Sequence, residues 1–177
     1  MEILETSLEG VFVLKAKIFK DDRGFFFEAY KESFFKEKNI CNSWAQDNIS
    51  VSHKGVVRGL HFQKDPFAQI KLVRVLSGRA FDVAVDLRIN SKTFGKSYSL
   101  ELSGDNGLAL YIPEGFAHGF QALEDKTVLS YKCSRLYNPQ SESGILWNDP
   151  NLNIAWPLRS NAICSLKDQK LLSMKEF

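Results

Sequence analysis

The run GLALYIPEGFAHGF, from Gly107 to Phe120, decides how this chain is built. Leu108 to Ile112 is short, apolar and aromatic, as a strand should be, and Pro113 with Gly115 shapes a turn directly after it. Working outward, FDVAVDLR from Phe81 to Arg88 has the clearest periodicity in the chain. Phe81, Val83, Val85 and Leu87 alternate with Asp82, Ala84, Asp86 and Arg88, the period-2 pattern of a half-buried strand. Leu72 to Leu76 reads as its partner, and Ser77-Gly78 between them predicts a hairpin. Ser97 to Leu102 and Val128 to Tyr131 are further short strands, set off by glycine, asparagine or aspartate turn residues. So many short strands at this spacing predict a sandwich or barrel. Helical signals are confined to the edges, at Lys31 to Lys38 and at Leu166 to Met174. With no repeat, low-complexity tract or linker to divide it, the chain reads as one domain over residues 1–177.

Composition narrows the function classes. At 177 residues, 44% of them hydrophobic and 12% aromatic, the chain can bury a substantial core. Lysine and arginine number 23 against 21 aspartate and glutamate, a net charge of +2, which argues for neither nucleic acid nor a membrane surface as partner. Any anion site must be local. Cys41, Cys133 and Cys164 are an odd number without a close pair, which fits neither a disulfide framework nor a thiolate zinc site and predicts a reducing, cytoplasmic setting. The opening MEILETSLEG is broken by glutamates, and no later run approaches the roughly 20 apolar residues of a membrane helix.

Two segments carry the chemistry. In the opening run, Gly107, Pro113, Gly115 and His118 match the second motif of the cupin superfamily, G-x5-P-x-G-x2-H. That resemblance implies a mainly β, jelly-roll barrel or sandwich with short peripheral helices, His118 pointing inward at its mouth. The other segment is GVVRGLHFQ, Gly55 to Gln63. Metal-binding cupins carry H-x-H and then a glutamate before a glycine. Here His61 is followed by Gln63, and Lys71, with six residues between it and Gly78, stands where the carboxylate would be. An ammonium repels a divalent cation and suits a developing anion, so no bound metal is expected.

Eight runs then identify a closer resemblance: DDRGFFFE from Asp21, QDN from Gln46, RGLHFQ from Arg58, KLVRVLSG from Lys71, FDVAVDLR from Phe81, PEGFAHGF from Pro113, YKC from Tyr131 and GILWNDP from Gly144. Together they resemble the dTDP-4-dehydrorhamnose 3,5-epimerases. The resemblance implies a cofactor-independent isomerase of deoxysugar biosynthesis acting on a nucleotide-linked 4-keto-6-deoxyhexose. Both C3 and C5 of such a sugar flank the ketone, so loss of either proton gives an enolate. By similarity His61 is the base, Asp168 its partner, Tyr131 the acid on the opposite face, Lys71 the stabiliser of the enolate oxygen, and His118 an assistant that holds the sugar. The same resemblance puts Arg58 on the pyrophosphate and Tyr137 and Phe26 around the base, with Arg23, Glu28, Gln46, Asn48 and Lys167 as further contacts. Arg23, Phe26 and Glu28 would reach into a neighbour's site, which implies a homodimer with exchanged N-terminal strands.

Each residue also has a plainer explanation. A histidine between Leu60 and Phe62 can be a hydrogen-bonded core residue. Ser165-x-x-Asp168 is a capping-box signature with aspartate in the last place. Tyr131 alternates with Leu129 as an inward core aromatic would. Lys71, opening a strand, has the look of an edge lysine that discourages aggregation. His53 beside Lys54 reads as a solvated loop residue, and Phe25 to Phe27 as core or interface. Rival functions are a metal-dependent cupin oxygenase, opposed by Gln63 and Lys71, a non-catalytic sugar-binding cupin, and a relative that epimerises C3 or C5 alone. Two departures from the family pattern stand out. QDN continues as Ile49-Ser50-Val51-Ser52, where the family commonly has a histidine and a basic residue, and the tail SLKDQKLLSMKEF keeps Lys167 and Asp168 but lacks the proline that often follows.

Overall fold

A computed structural model describes residues 1–41 and 43–177. In chain order its strands are β1 (Glu2–Glu5), β2 (Phe12–Lys15), β3 (Phe19–Asp21), β4 (Gly24–Phe26), β5 (Gln46–Ser52), β6 (Val56–Gln63), β7 (Lys71–Ser77) and β8 (Arg79–Asp86). There follow β9 (Ser97–Ser103), β10 (Leu108–Ile112), β11 (Phe116–Ala122), β12 (Thr127–Cys133), β13 (Glu142–Gly144) and β14 (Ile163–Cys164). The helix α1 (Glu32–Glu37) lies within the predicted Lys31 to Lys38. One sheet has the order β1-β2-β10-β7-β12-β5, the other β13-β6-β11-β8-β9 with β14 added to β6, and β3 and β4 form a separate ribbon. The mainly β, cupin-like sandwich expected from the sequence is the architecture found.

The core has three layers. Between the sheets lie Val73, Leu110 and Leu129 from the first and Ala84, Phe116 and Phe120 from the second. Outside the first sheet, Phe35 of α1 packs on Leu14, Leu72 and Tyr111. Outside the second, Val83 and Val85 meet Trp147, Ile154 and Trp156, and the Trp156 indole donates to the Trp147 carbonyl at 2.7 Å.

Three expectations need correction. Residues 71–77 and 79–86 form no hairpin, because β7 and β8 belong to different sheets. The turn at Gly78, with φ +75, instead carries the chain across the sandwich. Nor is the FDVAVDLR strand half-buried. Val83 and Val85 are covered by the outer tryptophan layer, while Ala80 and Ala84 on the opposite face enter the inter-sheet core. The alternation is real, but its polar and small face looks into the barrel. Finally, Leu166 to Met174 is not a helix. Only Asp168–Lys170 forms a 3-10 turn, after which Leu172 pairs with Ile145. Tertiary contacts of Asp168 and Leu172 override the local helical preference.

Candidate active site

A cavity of about 600 Å³ opens between the sheets and is lined from both of them. Strand β6 supplies Arg58 and His61, β11 supplies His118, β7 supplies Lys71, and β12 supplies Tyr131. Strand pairing explains why they converge. His61 and His118 are direct register partners, Lys71 is the partner of Cys133, and Tyr131 is the partner of Asn48.

His61 Nε2 lies 2.8 Å from Asp168 Oδ1. The second carboxylate oxygen accepts from the Gly59 amide at 3.1 Å, and the Asp168 amide donates to Ser165 Oγ at 3.0 Å. The capping signature is thus half realised, with the serine capping the turn while the aspartate side chain turns away to the imidazole. Burial works to raise the Asp168 carboxyl, but hydrogen bonds from His61 and the Gly59 amide outweigh it and hold the group below the ordinary 3.8. A carboxylate that stays ionised fixes the tautomer of its imidazole and favours the imidazolium. The opposite ring nitrogen, Nδ1, is left for a ligand.

Gly59 makes this approach possible. Its φ is +126, and a Cβ there would sit 2.6 Å from the Gly119 Cα of β11. Only glycine fits between the two strands at that point.

Lys71 is 8% exposed and lies on a central strand, so it is not an edge lysine. Its ammonium donates to the His61 carbonyl at 3.2 Å. Burial pushes it below the ordinary lysine value, against the opposing attraction of Cys133, Asp82 and Glu142. Tyr131 is half-buried, and burial pushes its phenol upward. Its hydroxyl has no protein partner among the described residues, as suits a group that meets a ligand.

The mouth is built from the nucleotide-contact candidates. Arg58 donates to Ser52 Oγ at 3.2 Å, and Gln46 donates to Asn48 Oδ1 at 2.8 Å while accepting from the Tyr137 amide at 2.8 Å. Tyr137 and Lys167 both donate to one oxygen of Glu142. The acceptor Glu142 raises the Tyr137 phenol. Burial pulls Glu142 itself upward, yet Lys167 and Tyr137 keep it below its ordinary value.

The structure therefore brings together ten of the thirteen residues singled out from the sequence. Arg23, Phe26 and Glu28 are not among them. Arg23 pairs with Asp21 at 2.6 Å, Phe26 is 65% exposed on the β3–β4 ribbon, and Glu28 lies near Lys31. His53 is exposed beside Asp125, as a loop residue should be. Sequence reasoning missed Glu142, on a three-residue strand without periodicity, and Asp82, whose carboxylate meets His118 Nε2 at 2.8 Å. Gln63, in place of a metal-binding imidazole, is engaged by the backbone of Phe67, Leu136 and Asn138. Among the described residues no three histidine, cysteine or carboxylate side chains are placed to hold a metal, and the cation of Lys71 makes the donor set a poor fit to one.

The chain is similar to known proteins over nearly its whole length. Residues 5–176 match the family described as dTDP-4-dehydrorhamnose 3,5-epimerase. The chain is 47% identical to the dTDP-4-dehydrorhamnose 3,5-epimerase of Escherichia coli (strain K12), over 100% of this chain and 96% of that protein. The crystal structure of the corresponding protein from Elizabethkingia anophelis superposes with a TM-score of 0.94 at 45% identity, covering 100% of this chain and 99% of that one. A dTDP-6-deoxy-D-glucose-3,5-epimerase from Legionella pneumophila, solved in complex with dTDP-4-keto-L-rhamnose, gives 0.93 at 42% identity, covering 98% and 93%.

Proposed function

Since the chain belongs to the dTDP-4-dehydrorhamnose 3,5-epimerase family, we propose that it epimerises C3 and C5 of a dTDP-linked 4-keto-6-deoxyhexose, converting dTDP-4-dehydro-6-deoxy-D-glucose to dTDP-4-dehydro-L-rhamnose. It is an isomerase of dTDP-rhamnose biosynthesis, and its residues 1–177 act as one domain. The observation that carries this reading is a carboxylate-bound imidazole and a buried ammonium in the same cavity as an unpartnered phenol.

Each epimerisation is a proton removed and a proton returned. The imidazole of His61, oriented by Asp168, takes the proton from the carbon beside the ketone through Nδ1. The electron pair moves into the carbonyl, and the enolate oxygen that forms is met by the Lys71 ammonium, which interacts most strongly where water is excluded. The Tyr131 phenol delivers a proton to the opposite face of the same carbon. Imidazolium and phenolate then exchange with solvent, and the cycle repeats at the other carbon. Acid–base help of this kind is typically worth about 10²- to 10⁴-fold. Outside the chemistry, Arg58 takes the pyrophosphate, where a planar guanidinium fits phosphate oxygens well. Tyr137 stacks on the base, and Gln46, Asn48 and Lys167 line the approach.

Arg23, Phe26 and Glu28 complete the site of a second copy in a homodimer. In support, Phe19, Phe25 and Phe26 of the ribbon are 48–65% exposed, more apolar surface than a solvated hairpin carries without a partner. Ile49 and Val51, within the run that departs from the family pattern, lie exposed on the same sheet as Arg74, which donates to the Ala29 carbonyl at the base of the ribbon at 2.6 Å.

Incubation with dTDP-4-keto-6-deoxyglucose in deuterated water tests the reaction directly. Deuterium is expected at both C3 and C5 of the product. Label at a single carbon would make the chain a mono-epimerase, and absence of label at both would end the proposal.

A further inference from the structure

Asp82 is a buried acid to which the reaction above gives no part. It is 0% exposed. One oxygen meets His118 Nε2 at 2.8 Å, and the other is buried without a hydrogen-bond partner among the described residues. Neutral side chains of the same size fill such space more cheaply, because a carboxylate loses its hydration and regains only part of it. A residue kept on those terms is explained by what its charge does to its neighbour.

That neighbour lines the cavity. An ionised carboxylate can only accept, so at this distance the proton between the pair resides on His118 Nε2. The ring's other nitrogen, Nδ1, has no protein partner among the described residues and is not enclosed by protein. We propose that Asp82 is a positioning residue that locks His118 as the Nε2–H tautomer, so that His118 presents a bare Nδ1 to the cavity and accepts a hydrogen bond from a hydroxyl of the bound sugar.

The proposal rests on the epimerase reading only for the identity of that sugar. Lys71, also lining the cavity, has donors and no acceptor. A donor-only ammonium and an acceptor-only imidazole form a polar code: the first selects the ketone oxygen, the second a neighbouring hydroxyl. Were His118 the opposite tautomer, both groups would donate and the hydroxyl would lose its acceptor. The arrangement also separates the two imidazoles by duty. His61 has a carboxylate at a partly exposed position and removes protons, while His118, 6% exposed, reads a hydroxyl.

The chain contains three histidines, so long-range ¹⁵N–¹H spectra of the rings are simple, and a His118→Asn sample assigns the signals. The unliganded protein is expected to show His118 as Nε2–H, with Nδ1 shifting on addition of dTDP-4-keto-6-deoxyglucose while Nε2–H persists. In Asp82→Asn the amide oxygen is drawn towards the Lys71 cation and its NH2 faces the ring, which reverses the tautomer. kcat/KM then falls about tenfold or more, as for loss of one buried hydrogen bond to substrate, with the His61 signals and the circular dichroism unchanged. A His118 ring protonated on Nδ1, or on both nitrogens, in the unliganded protein overturns the proposal. So does an Nδ1 signal that ignores the sugar, or a reversed tautomer with unchanged kcat/KM. Should Asp82→Asn fail to fold, the two measurements on the unaltered chain still decide. An unaltered chain that turns over no 4-keto sugar would sink the epimerase reading, while the unliganded tautomer is read independently of it.

Discussion

Lys71, the group proposed to meet the enolate oxygen, is held where its charge costs stability. Burial outweighs the attraction of Cys133, Asp82 and Glu142 and draws the ammonium below the ordinary lysine value of 10.5. The unfolded chain therefore binds that proton more tightly than the folded one. Stability rises with pH between the folded value and 10.5, and below that window the charged amine works against folding. Lys71→Met is expected to raise the Tm at neutral pH, with the gain shrinking as pH climbs through that window and levelling off above the ordinary lysine value, while kcat falls by about 10²- to 10³-fold. Thermal melts across pH and steady-state kinetics on one variant check both halves, and an unchanged kcat would remove the ammonium from the reaction. At this scale much of the site was legible. His61, Tyr131 and Lys71 stand inside runs whose resemblance to the family implies their roles, and all three line one cavity. Asp82 was not legible, because a period of two says that a strand has two faces and does not say which looks inward.

Strands β6 and β11 are the elements on which the site depends, and they approach closely only where side chains are absent. A Cβ on Gly59 would meet the Gly119 Cα at 2.6 Å and the His118 carbonyl at 2.8 Å. The Gly59 amide also holds Asp168. Gly59→Ala should destabilise the fold by about 1–3 kcal/mol, from an incompatible positive φ plus the clash, and should lower activity further by displacing the dyad. Urea unfolding and kinetics would reveal both losses, whereas a variant of native stability would mean that the two strands part without cost. The same scale explains where sequence reading went astray. The strands themselves were readable from alternation and turn residues, yet Ser77-Gly78 looks the same whether it joins two partners in one sheet or hands the chain to the opposite sheet. The tail failed differently, because Asp168 and Leu172 are held by contacts with β6 and the Ile145 segment that no local pattern encodes.

For the whole molecule, the ribbon bearing Arg23, Phe26 and Glu28 makes a prediction about pairs of chains. If it completes a neighbour's site, a chain carrying His61→Ala and a chain carrying Phe26→Ala are each impaired alone, but a mixed dimer contains one site with neither change. Unfolding and refolding the two together should restore activity to roughly a quarter of the unaltered level, the share of intact sites from random pairing of symmetric dimers. Activity of the mixture equal to the mean of its components would place the ribbon outside any shared site. This level was the least legible in sequence, since the aromatic run Phe25 to Phe27 looks alike whether its partner is the same chain or another.

The strand that bears Asp82 is enclosed on both sides, one face under Trp147 and Trp156 and the other carrying Ala80 and Ala84 into the inter-sheet core, with Asp82 against His118. Both surfaces of this one ribbon of backbone are thereby committed to cohesion. Groups that meet a ligand come instead from β6, β7, β11 and β12, so substitutions there can alter what the cavity accepts while this strand keeps the chain folded.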